Sequence, residues 1–186
     1  MSSTGNQGTA AKAVKATISD LESMIAESPN SDRVCLKLAQ VLHVRRSEVA
    51  LLRSEKGSLR FIFPPELRAA GVLPLTGSAV AARTASTRTP LLSNNFMRVK
   101  HVSLFEAVKI ATAAEEDRSQ EQMPIQKIMS VPVVNTGTVM GVVQISRKGL
   151  DASLAGVDFT NDDLKQLEKA AEVLGRMPFM KEGAEI

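Results

Sequence analysis

The first apolar pattern in the chain has the spacing of an α-helix. Its four members, Val14, Ile18, Leu21 and Ile25, recur at intervals of four, three and four residues. Such intervals place all four on one narrow stripe, which is the pattern of a helix-pairing seam. We therefore predict an amino-terminal dimerisation helix over residues 11–28, ended by Pro29. Residues 1–10 are small and polar without apolar periodicity, and they predict a disordered lead-in.

The pattern changes from helical to extended before residue 50. A second helix is predicted from about Ser31, with one apolar side made of Val34, Leu38, Val41 and Leu42. The apolar-rich segments 49–53 and 59–63 then flank a short Gly-containing stretch, which predicts a β-hairpin. Strict alternation places Leu59, Phe61 and Phe63 on one face of the second strand.

The middle of the chain predicts shorter elements. Residues 66–90 contain a short helix signal that Thr76 can cap, and residues 91–93 predict a short strand. Ser103 and Glu106 have the spacing of a capping box, in which a hydroxyl and a carboxylate each satisfy an unpaired backbone donor. That helix is expected to run to about residue 116.

The last third of the chain predicts a second hairpin and a long helix. The hairpin joins segments 128–134 and 138–147, and alternation gives the return strand one face made of Val139, Gly141, Val143 and Ile145. Thr160 and Asp163 predict the helix start, and the helix carries Leu164, Leu167, Ala171 and Leu174 at helical spacing. Residues 178–186 predict a frayed tail.

Composition limits the classes of protein that fit these elements. The length of 186 residues fits one domain with terminal extensions. No stretch of about 18 continuous apolar residues and no secretory signal pattern is present, so we expect a cytoplasmic protein. The single Cys35 and the two histidines, far apart in sequence, predict neither a disulfide nor a metal site. The small number of aromatic residues argues against a nucleic-acid partner.

Three segments resemble the GAF domain family, and they occur in that family's order. They are residues 72–81 followed by 88–92, the second hairpin over 129–145, and the Phe159-Thr160-Asn161-Asp162-Asp163-Leu164 stretch with Leu167. The resemblance implies an α+β domain over residues 29–177 with a central antiparallel sheet. It also implies that the amino- and carboxy-terminal helices lie on one sheet face and a ligand-type cup on the other.

The chemistries known in the GAF family require residues that this chain lacks. Covalent tetrapyrrole attachment uses a Cys in an aromatic setting, and free methionine-sulfoxide reductases use several cysteines. Cys35 alone, on a predicted packing helix, supports neither. The phosphodiesterase cyclic-nucleotide signature is also missing. We therefore predict no catalytic residues, no enzyme activity and no identified cofactor.

The predicted ligand-binding residues belong to the cup that the resemblance implies. Strand alternation gives Phe61 and Phe63, the basic stretch described next gives Arg98, and the resemblance gives Leu92, Phe96, His101 and Phe105. The stretch from Arg68 to Ile110 contains six basic residues against one acidic residue, Glu106. A basic rim of this kind would concentrate an anion. The alternative is that these are solvated surface charges without a role in binding.

Two functions remain open from the sequence. The first is a stand-alone sensory or regulatory module that binds a small molecule, anionic if the basic stretch contributes, and signals through an effector protein in trans. The second is a ligand-free dimerisation or interaction module with a filled core. Both predict a homodimer through residues 12–27 and 160–176, since each terminal helix carries an apolar stripe. Neither involves a membrane.

Overall fold

The computed structural model describes residues 16–98 and 123–184. In them, one antiparallel sheet has the strand order β3-β2-β1-β6-β5-β4. The strands are β1 (Val49–Glu55), β2 (Ser58–Phe63), β3 (Val72–Pro74), β4 (Leu91–Ser93), β5 (Ile125–Asn135) and β6 (Thr138–Lys148). The α-helices of the same residues are α1 (Ile18–Met24), α2 (Ser31–Leu42), α3 (Val80–Thr87) and α4 (Asn161–Gly175). No helix within these ranges is long and apolar enough to cross a membrane.

Local signals determine where the main elements begin and turn. Each long hairpin turns on a residue pair with positive φ, Lys56-Gly57 and Thr136-Gly137, as the tight turn between twisted strands requires. The side chain of Thr160 accepts a hydrogen bond from the Asp163 backbone, and the Asp163 carboxylate accepts one in return. Both hairpins and the capped last helix were predicted, and the structure confirms them. The predicted cap Thr76 is wrong, because α3 begins after Ala79 without a side-chain cap.

Two apolar clusters lie on opposite faces of the sheet. Helices α1, α2 and α4 cover one face, which we call the helix face, and α3 covers part of the other, the cup face. On β1, Val49 and Leu51 join the helix-face cluster, whereas Ala50 and Leu52 join the cup-face cluster. The α+β arrangement, with terminal helices together on one face, is therefore confirmed.

A β-bulge changes which face the end of β2 presents. Phe61 pairs with Leu52 and Phe63 pairs with Leu51, so two residues of β2 advance while β1 advances by one. Phe61 consequently stays in the cup-face cluster, and Phe63 turns into the helix-face cluster. The predicted alternation of Leu59, Phe61 and Phe63 onto one face is wrong at Phe63.

A second bulge has the same effect on β6. Val133 pairs with Gly141 and Val134 with Val139, which leaves Met140 as the extra residue. Val139 therefore packs against the cup-face cluster, while Met140 packs on the helix face. The expectation that Val139 shares a face with Gly141 is wrong for this reason.

The amino-terminal stripe packs against its own chain. Leu21 is 0% exposed and belongs to the helix-face cluster, and Ile18 and Ile25 are half-buried against the same cluster. Helix α1 contacts α2 and α4, and Arg176 donates to the Glu22 carboxylate at 3.0 Å. Val14 lies outside the described residues. Burial of the apolar stripe therefore does not require a second copy of the chain, and the homodimer stays a prediction.

Replacing Leu21 by Glu tests what the stripe contacts. Because Leu21 is buried within one chain, a charge there is expected to detach α1 and cost about 2 kcal/mol of the free energy of unfolding. Thermal melting combined with light scattering measures both stability and mass. Ser23→Glu, an exposed position on the same helix, serves as the control. A stable Leu21→Glu protein with half the wild-type mass would instead restore the stripe as a dimer seam.

The chain after α4 is ordered as far as Ala184. Phe179 and Met180, on a short 3₁₀ helix, are buried in the helix-face cluster. The Arg53 guanidinium donates to the carbonyl oxygens of Phe179 and Ala184, each at 3.0 Å. The predicted frayed tail is therefore wrong over these residues.

Burial alone would raise the pKa of Glu55, but the hydrogen bonds from Arg53 and Arg60 outweigh it and hold that pKa below its usual range.

Candidate functional site

Helix α3 lies directly against the middle strands of the cup face. Ala81, Ala82 and Ala85 are all buried there, and the helix contacts β5 and β6. Small side chains let the helix backbone approach the sheet closely, so protein fills the space above this part of the cup face. A pocket on this side of the sheet lies farther toward the edge strand β4.

A chain of hydrogen bonds joins α3 to the sheet beneath it. The Gln144 carboxamide donates to the Ser130 hydroxyl at 3.2 Å, and the Ser130 and Thr84 hydroxyl oxygens are 2.8 Å apart. Thr84 donates its only hydroxyl proton to the Val80 carbonyl at 2.9 Å, so Ser130 donates to Thr84. All three polar side chains are buried. This satisfied chain fixes the position of α3 over β5 and β6.

A pocket of about 250 Å³ opens between α3 and β4. It is lined by Val80, Arg83, Thr84, Thr87, Thr89, Pro90 and Leu91. Its volume lies just under the roughly 300–1,000 Å³ typical of ligand sites, so only a small molecule would fit. The lining combines an apolar wall with several hydroxyl groups and one basic side chain.

The hydroxyl groups of the pocket are oriented by the backbone. Thr87 donates to the Arg83 carbonyl at 2.7 Å, and Thr89 donates to the Thr87 carbonyl at 3.1 Å. Thr84 likewise donates to a carbonyl, as described above. Because each hydroxyl proton is committed, these oxygens can only accept hydrogen bonds from a ligand. The pocket would therefore suit a small molecule that carries N–H or O–H donors together with an anionic group for Arg83.

The predicted ligand-binding residues divide between the two faces of the sheet. Phe61 and Phe96 are both buried in the cup-face cluster. Phe63 is buried in the helix-face cluster and Leu92 packs against it, so neither can line the cup. Arg98 ends a short 3₁₀ helix that begins at Phe96. His101 and Phe105 lie outside the described residues.

The basic residues of the same region also have different roles. Arg68 donates to Asp32 at 2.5 Å and to the Ile62 carbonyl at 2.9 Å, so it holds α2 to the end of β2. Arg83 lines the pocket, and Arg88 is exposed at the end of α3. Lys100 and Lys109 lie outside the described ranges. Among the residues that line this pocket, Arg83 supplies the basic side chain.

Sequence reasoning missed the polar groups of the pocket and of the buried chain. The sequence feature that could have indicated the pocket is Thr84 and Thr87, three residues apart on one side of an Ala-rich helix, followed by Thr89-Pro90. Ser130 and Gln144 are buried polar residues that share this face with Ile128 and Val142 of the cup-face cluster. A buried polar residue in such a strand indicates a partner above the sheet, but it does not say which helix supplies it.

The described residues contain little that could perform covalent chemistry. Burial raises the pKa of the Cys35 thiol far above its usual range, which keeps the group neutral and unreactive. Within residues 16–98 and 123–184, no three metal-ligating side chains come together. The partners of Ser130 in its hydrogen bonds are Thr84 and Gln144, and neither is a base that could activate it.

Comparisons with known proteins agree with this architecture. The GAF domain of an Acinetobacter phosphoenolpyruvate-protein phosphotransferase is similar with a TM-score of 0.61 and 14% identity, over 85% of this chain and 87% of that one. The free methionine-R-sulfoxide reductase from Neisseria meningitidis gives 0.57 and 15%, over 90% of each chain. The GAF domain of a Bacillus halodurans two-component sensor histidine kinase gives 0.54 and 14%, over 87% and 94%.

At identities this low, the likeness to solved structures concerns the fold, which serves both regulatory domains and an enzyme. None of the curated proteins compared matches the chain. The family model described as the GAF domain matches residues 30–176, most of the chain. The chain therefore belongs to the GAF domain family.

Proposed function

We propose that this protein is a regulatory GAF module that binds a small anionic metabolite in the pocket between α3 and β4. The observation that carries the proposal is the pocket itself, whose lining combines backbone-oriented hydroxyl acceptors with the basic side chain of Arg83. Small carboxylates that also carry an ammonium or hydroxyl group match this set of partners. The site contains no activated nucleophile among the described residues, so the proposed role is binding without turnover.

The proposed output passes through the helix face. Strand β5 pairs with β4 beside the pocket, and α4 packs on its other face. A ligand that shifts β4 would therefore press on the same strand that supports α4. Sensory relatives of this fold, such as the Bacillus halodurans histidine kinase domain, make such a role reasonable. An effector protein acting in trans, in the cytoplasm, belongs to this proposal.

A second candidate function is an interaction module without a ligand. The observation that favours it is the close packing of Ala81, Ala82 and Ala85 on the sheet, which fills the centre of the cup face. On this alternative, the space between α3 and β4 is a surface depression that binds nothing. One experiment on the pocket distinguishes the two functions.

Thr89→Trp tests the pocket. The bulky ring at this exposed lining position is expected to occupy the space without disturbing the core. A metabolite present at about 100 times its Kd stabilises the wild type by roughly 2.7 kcal/mol, a rise of about 5–10 °C in Tm. We expect that rise to disappear in Thr89→Trp when small amino, hydroxy and phosphorylated acids are screened by thermal shift.

Ser86→Trp provides the matched control, because Ser86 is exposed on α3 but does not line the pocket. It should keep the wild-type response to the same compound. A screen in which no small acid shifts the wild-type Tm would support the filled-core alternative. A compound that stabilises both tryptophan variants equally would bind elsewhere on the protein, and the proposed site would be wrong.

A further inference from the structure

The loop between β6 and α4 exposes three large aliphatic side chains. Leu150 is 72% exposed, Leu154 67% and Val157 74%, more than any other large apolar side chain of the described residues. We call these three residues the Leu150 patch. Isolated exposed hydrophobic residues are common, but three within eight positions of one loop concentrate apolar surface there, and exposed apolar patches mark interactions.

The loop that carries the patch is held rigidly. One oxygen of Asp151 accepts hydrogen bonds from the Ser153 backbone and hydroxyl and from the Leu154 backbone, at 2.9, 2.6 and 3.0 Å. The Lys127 ammonium, only 5% exposed, donates to the Gly156 carbonyl at 2.6 Å and to Asp158 at 2.7 Å. A buried charge committed to one loop fixes its shape, so the patch is preorganised for contact.

The described chain on either side of residues 99–122 contacts this loop. Before the stretch, the Asn94 side chain accepts from the Phe159 backbone at 2.9 Å and donates to the Phe159 carbonyl at 3.0 Å. After it, the Pro124 carbonyl accepts from the Gly149 backbone at 3.1 Å. The described residues that flank the stretch therefore contact the two ends of the loop, near Phe159 and Gly149.

The sequence of that stretch contains apolar residues at helical spacing. Leu104, Phe105 and Val108 fall on one side of the helix that the capping box at Ser103 predicts, and Ala111 extends this side by one turn. A helix with one apolar side needs an apolar surface against which to pack. The Leu150 patch is such a surface within reach of both ends.

We propose that the Leu150 patch is the docking surface for residues 103–112 of the same chain. The size of the patch favours this occupant over a second copy, because three aliphatic side chains provide only part of the roughly 800 Å² per partner that a stable dimer buries. One apolar side of a short helix matches three side chains in scale. The inference does not depend on ligand binding in the pocket.

Hydrogen exchange followed by mass spectrometry tests this proposal on the full chain. Amides of residues 103–112 are expected to be protected in the wild type. In the double variant Leu154→Ser/Val157→Ser, they should exchange about tenfold faster or more, since two apolar contacts are lost. Val72→Ser, at an exposed position on the opposite edge strand, is the matched control and should leave this protection unchanged.

Three results would overturn the proposal. Residues 103–112 could exchange without protection in the wild type, which would leave the patch uncovered by them. Their protection could survive in the double variant, which would place their partner elsewhere. Protection of the patch that rises with protein concentration would identify a second copy as the occupant. Thermal melting of each variant verifies that the domain itself stays folded.

Discussion

Gly141→Val is expected to leave almost no folded protein. A Cβ at Gly141 would overlap the Leu52 carbonyl oxygen of the neighbouring strand and lie 2.7 Å from the Met180 methyl group. The carbonyl cannot move aside, because Leu52 pairs with Val142 in the ladder between β1 and β6. Separating the two central strands costs a large share of the roughly 5–15 kcal/mol that stabilises a domain. Folded yield and the circular dichroism melting curve measure the loss.

The smaller substitution Gly141→Ala separates steric overlap from the general cost of a larger side chain. It adds only the overlapping Cβ and should still lower the Tm severely. Thr138→Ile adds apolar bulk at an exposed position of the same strand and should leave the Tm nearly unchanged. A Gly141→Ala protein that melts within a few degrees of wild type would contradict the close approach of β1 to β6.

Phe63→Ala is expected to lower the free energy of unfolding by about 3–5 kcal/mol, since Phe63 is fully buried and its removal leaves a cavity. The cavity forms on the helix face, next to α2. Stability measured by denaturant titration reports the loss. Phe63→Leu keeps most of the volume and should cost much less.

The same variants test the correction at the β2 bulge. Because Phe63 faces α2 and not the cup, folded Phe63→Leu protein should keep the thermal response to any compound that binds the α3–β4 pocket. Loss of that response in folded protein would indicate that Phe63 lies on the cup face after all. The guanidinium carbon of Arg46 lies 5.3 Å from the centroid of the Phe63 ring. The Phe63 ring therefore contacts Arg46 as well as the helix-face cluster.

Local chemistry explains which elements were predictable from the sequence. The Thr160–Asp163 cap and the Lys56-Gly57 turn depend on residues adjacent in the chain, and the sequence displays them directly. The faces of Phe63 and Val139 depend on how two strands pair. One extra residue on one strand moves every later side chain of that strand to the opposite face of the sheet, and no local sequence pattern indicates where this occurs.

Long-range partners were the other source of error. The apolar stripe of α1 was recognised, but the sequence does not state whether α2 and α4 or a second copy covers Leu21. The pocket was missed for a related reason. Thr87 and Thr89 resemble ordinary surface residues until α3 and β4 are brought side by side. The tail after Met177 contains Pro and Gly, yet Arg53, more than a hundred residues earlier, holds it in place.

The attachment of the tail to Arg53 has a mechanical consequence. Strand β1 lies between β2 and β6, inside the sheet, and its Arg53 donates to the carbonyl oxygens of Phe179 and Ala184. A pulling force applied at Ala184 would therefore reach an inner strand of the sheet before it could peel α4 from the surface. Tension at this point loads the guanidinium contacts and β1 together, so a tether attached there would be coupled to the centre of the domain.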